Sequence, residues 1–126
     1  MSAGRGLREA SFRRRAERRG RLAESLAAWL LRLKGFAILA RRWSSPVGEI
    51  DIVARRGDLL VFVEVKRRSE LASALEALRA PQGRRIAAAA AVFLAARPDL
   101  ARLACRFDVV AVGGPWPVHL PDAWRP

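Results

Sequence analysis

Two apolar runs separated by a short polar segment predict an antiparallel hairpin in the middle of the chain. Glu49–Ala54 and Leu59–Lys66 are rich in Ile, Val and Leu, and residues 55–58 between them are Arg-Arg-Gly-Asp. Runs of this composition joined by a few polar residues that include glycine are typical of a hairpin. With residues 55–58 as the loop, Ala54 is expected to pair with Leu59.

The predicted register gathers the charged residues of the hairpin on one face. Side chains alternate between the two faces of a strand, so Asp51 is expected opposite Phe62 and Glu49 opposite Glu64. A loop one residue shorter or longer would instead move Asp51 to the other face. The expected charged face consists of Glu49, Asp51, Glu64 and Lys66, and the expected apolar face of Ile50, Ile52, Val61, Val63 and Val65.

Three carboxylates beside one ammonium group predict a site for a divalent metal. Like charges across a strand pair repel, and a half-buried carboxylate is destabilising unless a cation or hydrogen bonds compensate it. Mg²⁺ prefers oxygen ligands and usually binds one or two carboxylates together with water and phosphate oxygens. Asp51, Glu64 and Glu49 are therefore candidate ligands, and Lys66 is the candidate for stabilising charge on a phosphate or orienting the attacking water. The alternative is a solvated sheet face with a Glu–Lys pair.

An amphipathic helix is predicted over Arg21–Leu33, with Gly35 as its C-terminal stop. Glu24 falls at the margin of its apolar arc, where it is either a favourable acid near the positive end of the helix or part of a site. The apolar arc is expected to contain Leu22, Leu26, Trp29, Leu30 and Leu33, because these positions recur at helical spacing.

The order of the remaining elements predicts an α/β domain over residues 19–126, with a mixed sheet flanked by helices. A helix or loop is expected at Leu71–Leu78, and a helix at Gln82–Ala96 between two prolines. The further strands are expected at Phe36–Ala40, Cys105–Val112 and Val118–Leu120.

The charge of the chain predicts a polyanionic partner. It carries 24 Lys and Arg residues against 12 Asp and Glu, a net charge of +12 over 126 residues, which favours nucleic acid over an anionic membrane. Met1–Arg18 is poor in large apolar residues and is interpreted as a flexible basic arm. The candidate phosphate contacts are Arg41, Arg42, Arg67, Arg68, Arg84 and Arg85, the last two at the N-terminal end of the second helix.

Three single residues have a structural interpretation. The lone cysteine, Cys105, is expected to be buried packing, and its isolation fits a reducing cytosol. His119 is interpreted as a surface residue rather than a base, and Trp43 as half-buried core rather than a base-stacking residue.

The longest uncharged apolar run, Ile86–Ala96, is too short to span a bilayer, so a cytoplasmic protein that does not enter the membrane is expected.

At the hairpin the sequence resembles a known nuclease motif. Asp51, followed after twelve residues by Glu64-Val65-Lys66, resembles the metal-binding motif of the PD-(D/E)xK superfamily, which includes restriction endonucleases and archaeal Holliday-junction resolvases. The segments GFAILARRW, GEIDIVA, LVFVEVKRR and CRFDVVAV, in this order and spacing, resemble the YraN family of small bacterial proteins. The resemblance covers roughly residues 19–124 and implies a restriction-endonuclease-like fold with a nuclease activity.

The resemblance also implies a catalytic set. In the superfamily a glutamate of the N-terminal helix often approaches the metal, which adds Glu24 to Asp51, Glu64 and Lys66. Gln82 stands where relatives usually carry a lysine, and its role stays open. The expected function is a Mg²⁺-dependent endonuclease, with Mn²⁺ as an alternative metal, acting on DNA and in particular on branched or structured DNA. A homodimer and an RNA substrate remain open, and the alternative function is a non-catalytic nucleic-acid-binding module with the same fold.

Overall fold

A mixed sheet of five strands organises residues 20–126, which are the residues that this computed structural model describes. The predicted arm Met1–Arg18 lies outside them. Short 3₁₀ turns occupy Arg68–Glu70 and Pro98–Leu100. The helices are α1 at residues 20–33, α2 at Leu71–Leu78 and α3 at Pro81–Ala96, and the strands are β1 at Ala37–Ser45, β2 at Gly48–Arg56, β3 at Leu59–Arg67, β4 at Ala104–Val112 and β5 at Val118–Leu120.

The strands lie side by side in chain order, from β1 to β5. β3 and β4 are parallel and all other neighbours are antiparallel. A parallel pair needs a long crossover, and α2 and α3 provide it. The predicted α/β fold with a mixed sheet flanked by helices is confirmed, and the arrangement is consistent with that of restriction endonucleases.

The motif hairpin forms, but its register is shifted by two residues from the predicted one. Arg56 pairs with Leu59, and Val53 rather than Asp51 pairs with Phe62. The loop consists of two residues instead of four, and Gly57 occupies its first position with φ 60°. A positive φ is what a two-residue hairpin loop requires there. The predicted Ala54–Leu59, Asp51–Phe62 and Glu49–Glu64 pairs are therefore wrong.

An even shift keeps the same residues on the same face, but it moves Asp51 along β3 toward Glu64. The ladder between β2 and β3 ends at the pair of Ile52 and Val63. Ile50 was predicted to share a face with Ile52, and this is wrong, because Ile50 packs in the cluster beneath α3 while Ile52 packs beneath α1. The direction of the side chains on β2 therefore changes close to Asp51.

Helix α1 is confirmed, but it buries a different side from the apolar arc that was predicted. The large residues of the arc are mostly in water, with exposed fractions of 63% for Leu22, 41% for Leu26, 48% for Trp29 and 65% for Leu33. The buried residues that pack on the sheet are Ala27, Ala28 and Leu31, and Leu30 of the predicted arc is partly buried against the same cluster. Alanine lets the helix backbone approach the sheet closely, which leaves the longer side chains outside.

The opposite face of the sheet is covered by α2 and α3 around an aromatic cluster. Phe93 of α3 contacts Phe62 and Trp43 edge-on, at centroid distances of 6.1 and 5.4 Å. Trp43 is half-buried, so its interpretation as core is confirmed. The segment Leu71–Leu78, left open between helix and loop, is helical, and Gly83 fits beneath it because a Cβ there would lie 1.7 Å from the carbonyl oxygen of Leu78.

Two further expectations change at the ends of the strands. Strand β1 continues to Ser45, beyond the predicted end at Ala40, because Arg41–Ser45 pairs with the start of β2. Cys105 is exposed near the beginning of β4, so the prediction that it is buried is wrong. Among residues 20–126, no helix combines the length and apolar character needed to cross a membrane.

Candidate functional site

Asp51 and Glu64 meet where β2 and β3 separate. The backbone N–H of Val65 donates to Oδ2 of Asp51 at 2.8 Å, and the N–H of Asp51 donates to Oε2 of Glu64 at 3.3 Å. The two side chains thus replace the backbone ladder that ends one residue earlier. Glu64 is 6% exposed and Asp51 is half-buried. The hairpin therefore fixes two carboxylates side by side.

Both carboxylates hold their protons more tightly than they would in water. Burial is the largest cause that raises the pKa of Asp51, and the nearby charge of Glu24 raises it further, while the Val65 N–H acts in the opposite direction. Burial, followed by the charge of Asp51, raises the pKa of Glu64 to about 8. The positive charge of Lys66 lowers both pKa values but does not outweigh burial. Asp51 and Glu64 therefore have too little positive charge nearby to offset the effect of burial on their pKa values.

Helix α1 contributes a third carboxylate. Glu24 is 6% exposed, and its Oε2 accepts a hydrogen bond from Nε of Arg42. Its Oε1 is buried and accepts no hydrogen bond from any residue in the described part of the chain. Arg42 adopts φ 50°, a left-handed conformation that is uncommon for a residue with a side chain. Its side chain pairs with Glu24 from this unusual position.

An open cavity of about 660 Å³ brings these groups together. Three of the four predicted catalytic residues, Glu24, Asp51 and Lys66, line this cavity, together with Arg42 and Arg67. The fourth, Glu64, is linked to it through its hydrogen bond from the Asp51 N–H. The cavity therefore combines acidic oxygens with cations that could hold a phosphate.

The other predicted residues lie outside this cavity. Glu49 is exposed and pairs with Ser44 across β1 and β2, although its charge is among those that raise the pKa of Asp51. Arg41 donates to Oγ of Ser25 at 3.0 Å. The remaining candidate phosphate contacts are exposed: Arg68 just after β3, and Arg84 and Arg85 near the N-terminal end of α3.

The described residues do not form a protein cage of three or more metal ligands. Over residues 20–126, no group of three or more His, Cys, Asp and Glu side chains is arranged to hold a metal ion. A cation at Asp51 and Glu64 would therefore take its other ligands from water or from a bound phosphate, which is the usual mode for Mg²⁺.

A second cluster, around Asp108 of β4, was not identified from the sequence. Asp108 is 0% exposed. Its carboxylate accepts hydrogen bonds from Nε and Nη2 of Arg106 at 2.8 and 2.9 Å, and from the backbone N–H of Asp122 at 2.9 Å. Nε2 of His119 lies 2.7 Å from its Oδ2. The sequence signal for this cluster was Asp108 itself, an acid inside the apolar run CRFDVVAV, two residues after Arg106.

His119 belongs to this cluster and not to the surface. Its side chain is only 3% exposed, so the prediction of a surface residue is wrong. The ammonium of Lys34 lies 2.7 Å from Nδ1 and can only donate, which makes Nε2 the nitrogen that donates to Asp108. Burial alone would raise the pKa of Asp108, but the hydrogen bonds from His119 and Arg106 outweigh it and lower the pKa to about 2.

Comparison with known proteins gives one family and close relatives. The family described as "Uncharacterised protein family UPF0102" matches this chain over residues 23–112. The UPF0102 protein amb4503 of Paramagnetospirillum magneticum is 56% identical over 116 residues, which cover 87% of this chain and 89% of the relative. A UPF0102 protein of Chelativorans is 52% identical, with 89% and 91% covered. The UPF0102 protein mlr4633 of Mesorhizobium japonicum is also 52% identical, with 93% and 94% covered.

Proposed function

We propose a function from the site itself, because the chain belongs to the uncharacterised protein family UPF0102, whose description names no activity. The protein is a metal-dependent phosphodiesterase that cleaves nucleic acid, with DNA as its principal substrate. The observation that carries this proposal is the pair of adjacent carboxylates, Asp51 and Glu64, whose pKa values are raised by burial beside an open cavity. Strongly perturbed acids in a cleft are characteristic of functional sites.

The chemistry of the donor groups fits a hard divalent cation. Asp51 and Glu64 each use one oxygen to accept a backbone N–H, and a second oxygen of each can face a cation. Glu24 adds a buried oxygen without a hydrogen bond from the described residues. Asp51 and Glu64 would hold Mg²⁺ or Mn²⁺, with Glu24 acting directly or through water. Such an ion polarises a phosphoryl oxygen and makes water a stronger acid.

The cations of the cavity have separate tasks. Lys66 follows Glu64 by two residues on β3 and lines the cavity beside Asp51. Its ammonium stabilises the negative charge that develops on the phosphate and orients the attacking water. Arg67 lines the same cavity and binds a neighbouring phosphate, while the pair of Arg42 and Glu24 holds α1 against the site.

Two features support nucleic acid as the substrate. The net charge of +12 attracts a polyanion, and two further cations follow Glu64 and Lys66 along the chain, Arg67 at the end of β3 and Arg68 just after it. The resemblance of Asp51 and Glu64-Val65-Lys66 to the PD-(D/E)xK motif favours DNA, and branched or structured DNA in particular. Membership of that superfamily is part of the proposal.

A second function is favoured by one specific observation. The carboxylates of Asp51 and Glu64 hydrogen-bond backbone N–H groups and so join β2 to β3 where their ladder ends. In a non-catalytic nucleic-acid-binding module, this structural role alone would account for both residues. The presence of Lys66 in the same cavity favours the enzyme, because a strand junction does not require it.

A cleavage assay with matched variants separates the two functions. The parent protein, Asp51→Asn and Lys66→Ala are compared on labelled duplex and four-way-junction DNA with Mg²⁺, Mn²⁺ or chelator. Asp51→Asn should lose metal-dependent cleavage and bind DNA equally or more tightly, because a negative charge facing phosphate is removed. Lys66→Ala should lose cleavage by roughly 10²–10³-fold, as expected for one electrostatic donor. Asp58→Asn, an exposed change on the hairpin loop, is the control that should retain activity.

The outcomes are distinct. Equal cleavage by all of these proteins would indicate a contaminating nuclease or another site, and the assignment of Asp51 and Lys66 would be wrong. A parent protein that binds DNA but never cleaves it with either metal would indicate the binding module.

A further inference from the structure

Helix α1 and the segment between β4 and β5 expose large aromatic side chains next to the candidate site. Trp29 of α1 is 48% exposed, and Trp116, between the two strands, is 73% exposed. A tryptophan in water forgoes a large hydrophobic contribution to stability, and clustered exposed apolar residues mark interaction surfaces. These residues have no part in the proposed chemistry.

The two tryptophans line one groove, which we name the tryptophan groove. Its volume is about 380 Å³, and no charged side chain from the described part of the chain lines it. The remaining lining is also apolar or glycine: Leu26, Val112, Gly113, Gly114, Pro115 and Pro117. A slot bounded by flat rings and prolines suits a flat apolar group.

The tryptophan groove continues into the cavity that contains Asp51 and Lys66. Three residues, Leu26, Val112 and Gly113, line both. Arg68 lies at the rim of the groove, since a Cβ on Gly114 would lie 2.6 Å from its Nη1. An occupant that extends across both spaces would therefore combine a flat apolar part with an anionic part. A nucleotide has this composition, because each base is joined to a phosphate.

We infer that the tryptophan groove binds an unpaired nucleobase by stacking on Trp29 and Trp116. Bases within a duplex are already stacked, so the substrate carries a single-stranded segment beside the phosphodiester in the cavity. Stacking on aromatic side chains accepts any base and is a common mode for single strands. The inference rests on the proposed function for the site of cleavage, whereas the stacking contact itself requires no metal.

Charge favours nucleic acid over a second copy of the chain as the occupant. The exposed charged residues of α1, over residues 20–33, are Arg21 and Arg32, and both are basic. Two copies that meet through α1 would bring like charges together, in addition to the net charge of +12 on each chain. A single-stranded nucleic acid instead supplies apolar bases together with complementary negative charge.

The test measures binding in chelator, so that cleavage does not affect the result. Three labelled DNAs are used: a blunt duplex, the same duplex with a single-stranded tail, and the same tail without bases. The variants are Trp29→Ala, Trp116→Ala and Trp116→Phe, with Leu33→Ala as the control. Leu33 is 65% exposed on the same helix but does not line the groove.

The parent protein should bind the tail with bases more tightly than the other two DNAs. Each Trp→Ala change should weaken binding of that tail by about tenfold, which is the order expected for loss of one stacked base, and leave duplex binding nearly unchanged. Trp116→Phe should restore most of the affinity, and Leu33→Ala should match the parent. Thermal melts of each variant identify any loss of fold, and the Phe variant keeps the test valid if an Ala variant unfolds.

Three results would overturn the inference. Equal affinity for tails with and without bases would show that phosphates alone are bound. A parent dimer in sedimentation that Trp29→Ala and Trp116→Ala dissociate, while Leu33→Ala does not, would assign the groove to a second copy. Binding of anionic lipid vesicles that depends on the tryptophans, with tail binding unaffected, would assign it to a membrane surface.

The two proposals fail in different ways. Tail binding that depends on the tryptophans, without any Mg²⁺-dependent cleavage, would support the stacking groove and contradict the nuclease. Metal-dependent cleavage that depends on Asp51, but is equal on blunt and tailed DNA and in both Trp→Ala variants, would support the nuclease and contradict the groove.

Discussion

The described part of the chain buries carboxylates in two places, and their pKa values are shifted in opposite directions. Asp108 is 0% exposed and has Arg106, His119 and the Asp122 N–H around it. Glu64 is 6% exposed and accepts one backbone N–H at 3.3 Å. The pKa of Asp108 is lowered to about 2, whereas the pKa of Glu64 is raised to about 8. Similar burial therefore has opposite electrostatic consequences.

The difference lies in the supply of positive charge and hydrogen-bond donors. Arg106 meets both oxygens of Asp108 from two residues away on the same strand, and His119 reaches it from the adjacent strand. At Asp51 and Glu64, Lys66 contributes a positive charge that does not outweigh burial. A buried carboxylate whose hydrogen bonds and charge are matched by the protein, such as Asp108, has a structural role. A buried pair of carboxylates with too few cations around it, such as Asp51 and Glu64, is suited to binding an external cation.

The strongest test of this comparison exchanges the two aspartates for asparagine. Asp108→Asn should reduce the free energy of unfolding by about 3 kcal/mol, because it leaves the Arg106 guanidinium and the buried His119 without their carboxylate. Asp51→Asn in chelator should leave stability unchanged or raise it, since it removes a desolvated charge and keeps an oxygen for the Val65 N–H. Urea unfolding in chelator at neutral pH measures both.

Asp58→Asn provides the baseline for an exposed change on the motif hairpin and should stay close to the parent protein. Equal destabilisation by Asp51→Asn and Asp108→Asn would contradict the comparison. It would mean that Asp51 is satisfied by the fold and that no external cation is needed there.

The second test is the pH dependence of stability, for which the two clusters have opposite signs. The pKa of Glu64 is raised from 4.5 to about 8 in the folded protein, so the unfolded chain releases that proton first. Its contribution to the free energy of unfolding is present below pH 4.5 and is lost as the pH rises toward 8. The pKa of Asp108 is lowered from 3.8 to about 2, so its contribution is lost as the pH falls through that range.

In chelator, the parent protein should therefore become less stable between pH 5 and pH 8, by roughly 1–3 kcal/mol from Glu64. Glu64→Gln should flatten this decline and should be more stable than the parent at pH 8. Glu76→Gln, an exposed change on α2, should keep the slope of the parent. Thermal melts across this pH range provide the measurement, and an unchanged slope in Glu64→Gln would show that Glu64 titrates normally.

Much of the fold could be predicted from local patterns. Apolar runs rich in Ile, Val and Leu identified β2 and β3, and the interval from Pro81 to Pro98 bounded α3 almost to the residue. The boundaries of β5 agree with the prediction. The two-residue loop was missed because Arg55 and Arg56 are polar and look like loop residues, although they extend β2. Gly57 was the residue that determined the register.

The site was only partly predictable, because tertiary packing decided what local pattern could not. Spacing identified Asp51, Glu64 and Lys66, and the two-residue error in register did not separate Asp51 from Glu64, because the true register moves Asp51 along β3 toward Glu64. The buried side of α1 could not be read from hydrophobicity, since close approach to the sheet selected Ala27 and Ala28 over the larger residues. The interaction of Asp108 with His119 joins residues on different strands, and neither residue alone indicates the other.

The smallest expected effect concerns DNA binding by two arginines, one that lines the cavity and one that is paired with a buried acid. Arg67 lines the cavity, whereas Arg106 is held by Asp108. If Arg67 binds a phosphate, Arg67→Gln should reduce the slope of log K for DNA against log salt by about 1, because one less counterion is released on binding. Arg106→Gln should lower stability and leave that slope unchanged. Titrations at several salt concentrations, below the melting temperature of each variant, make the measurement, and equal slopes for Arg67→Gln and the parent would remove Arg67 from the phosphate path.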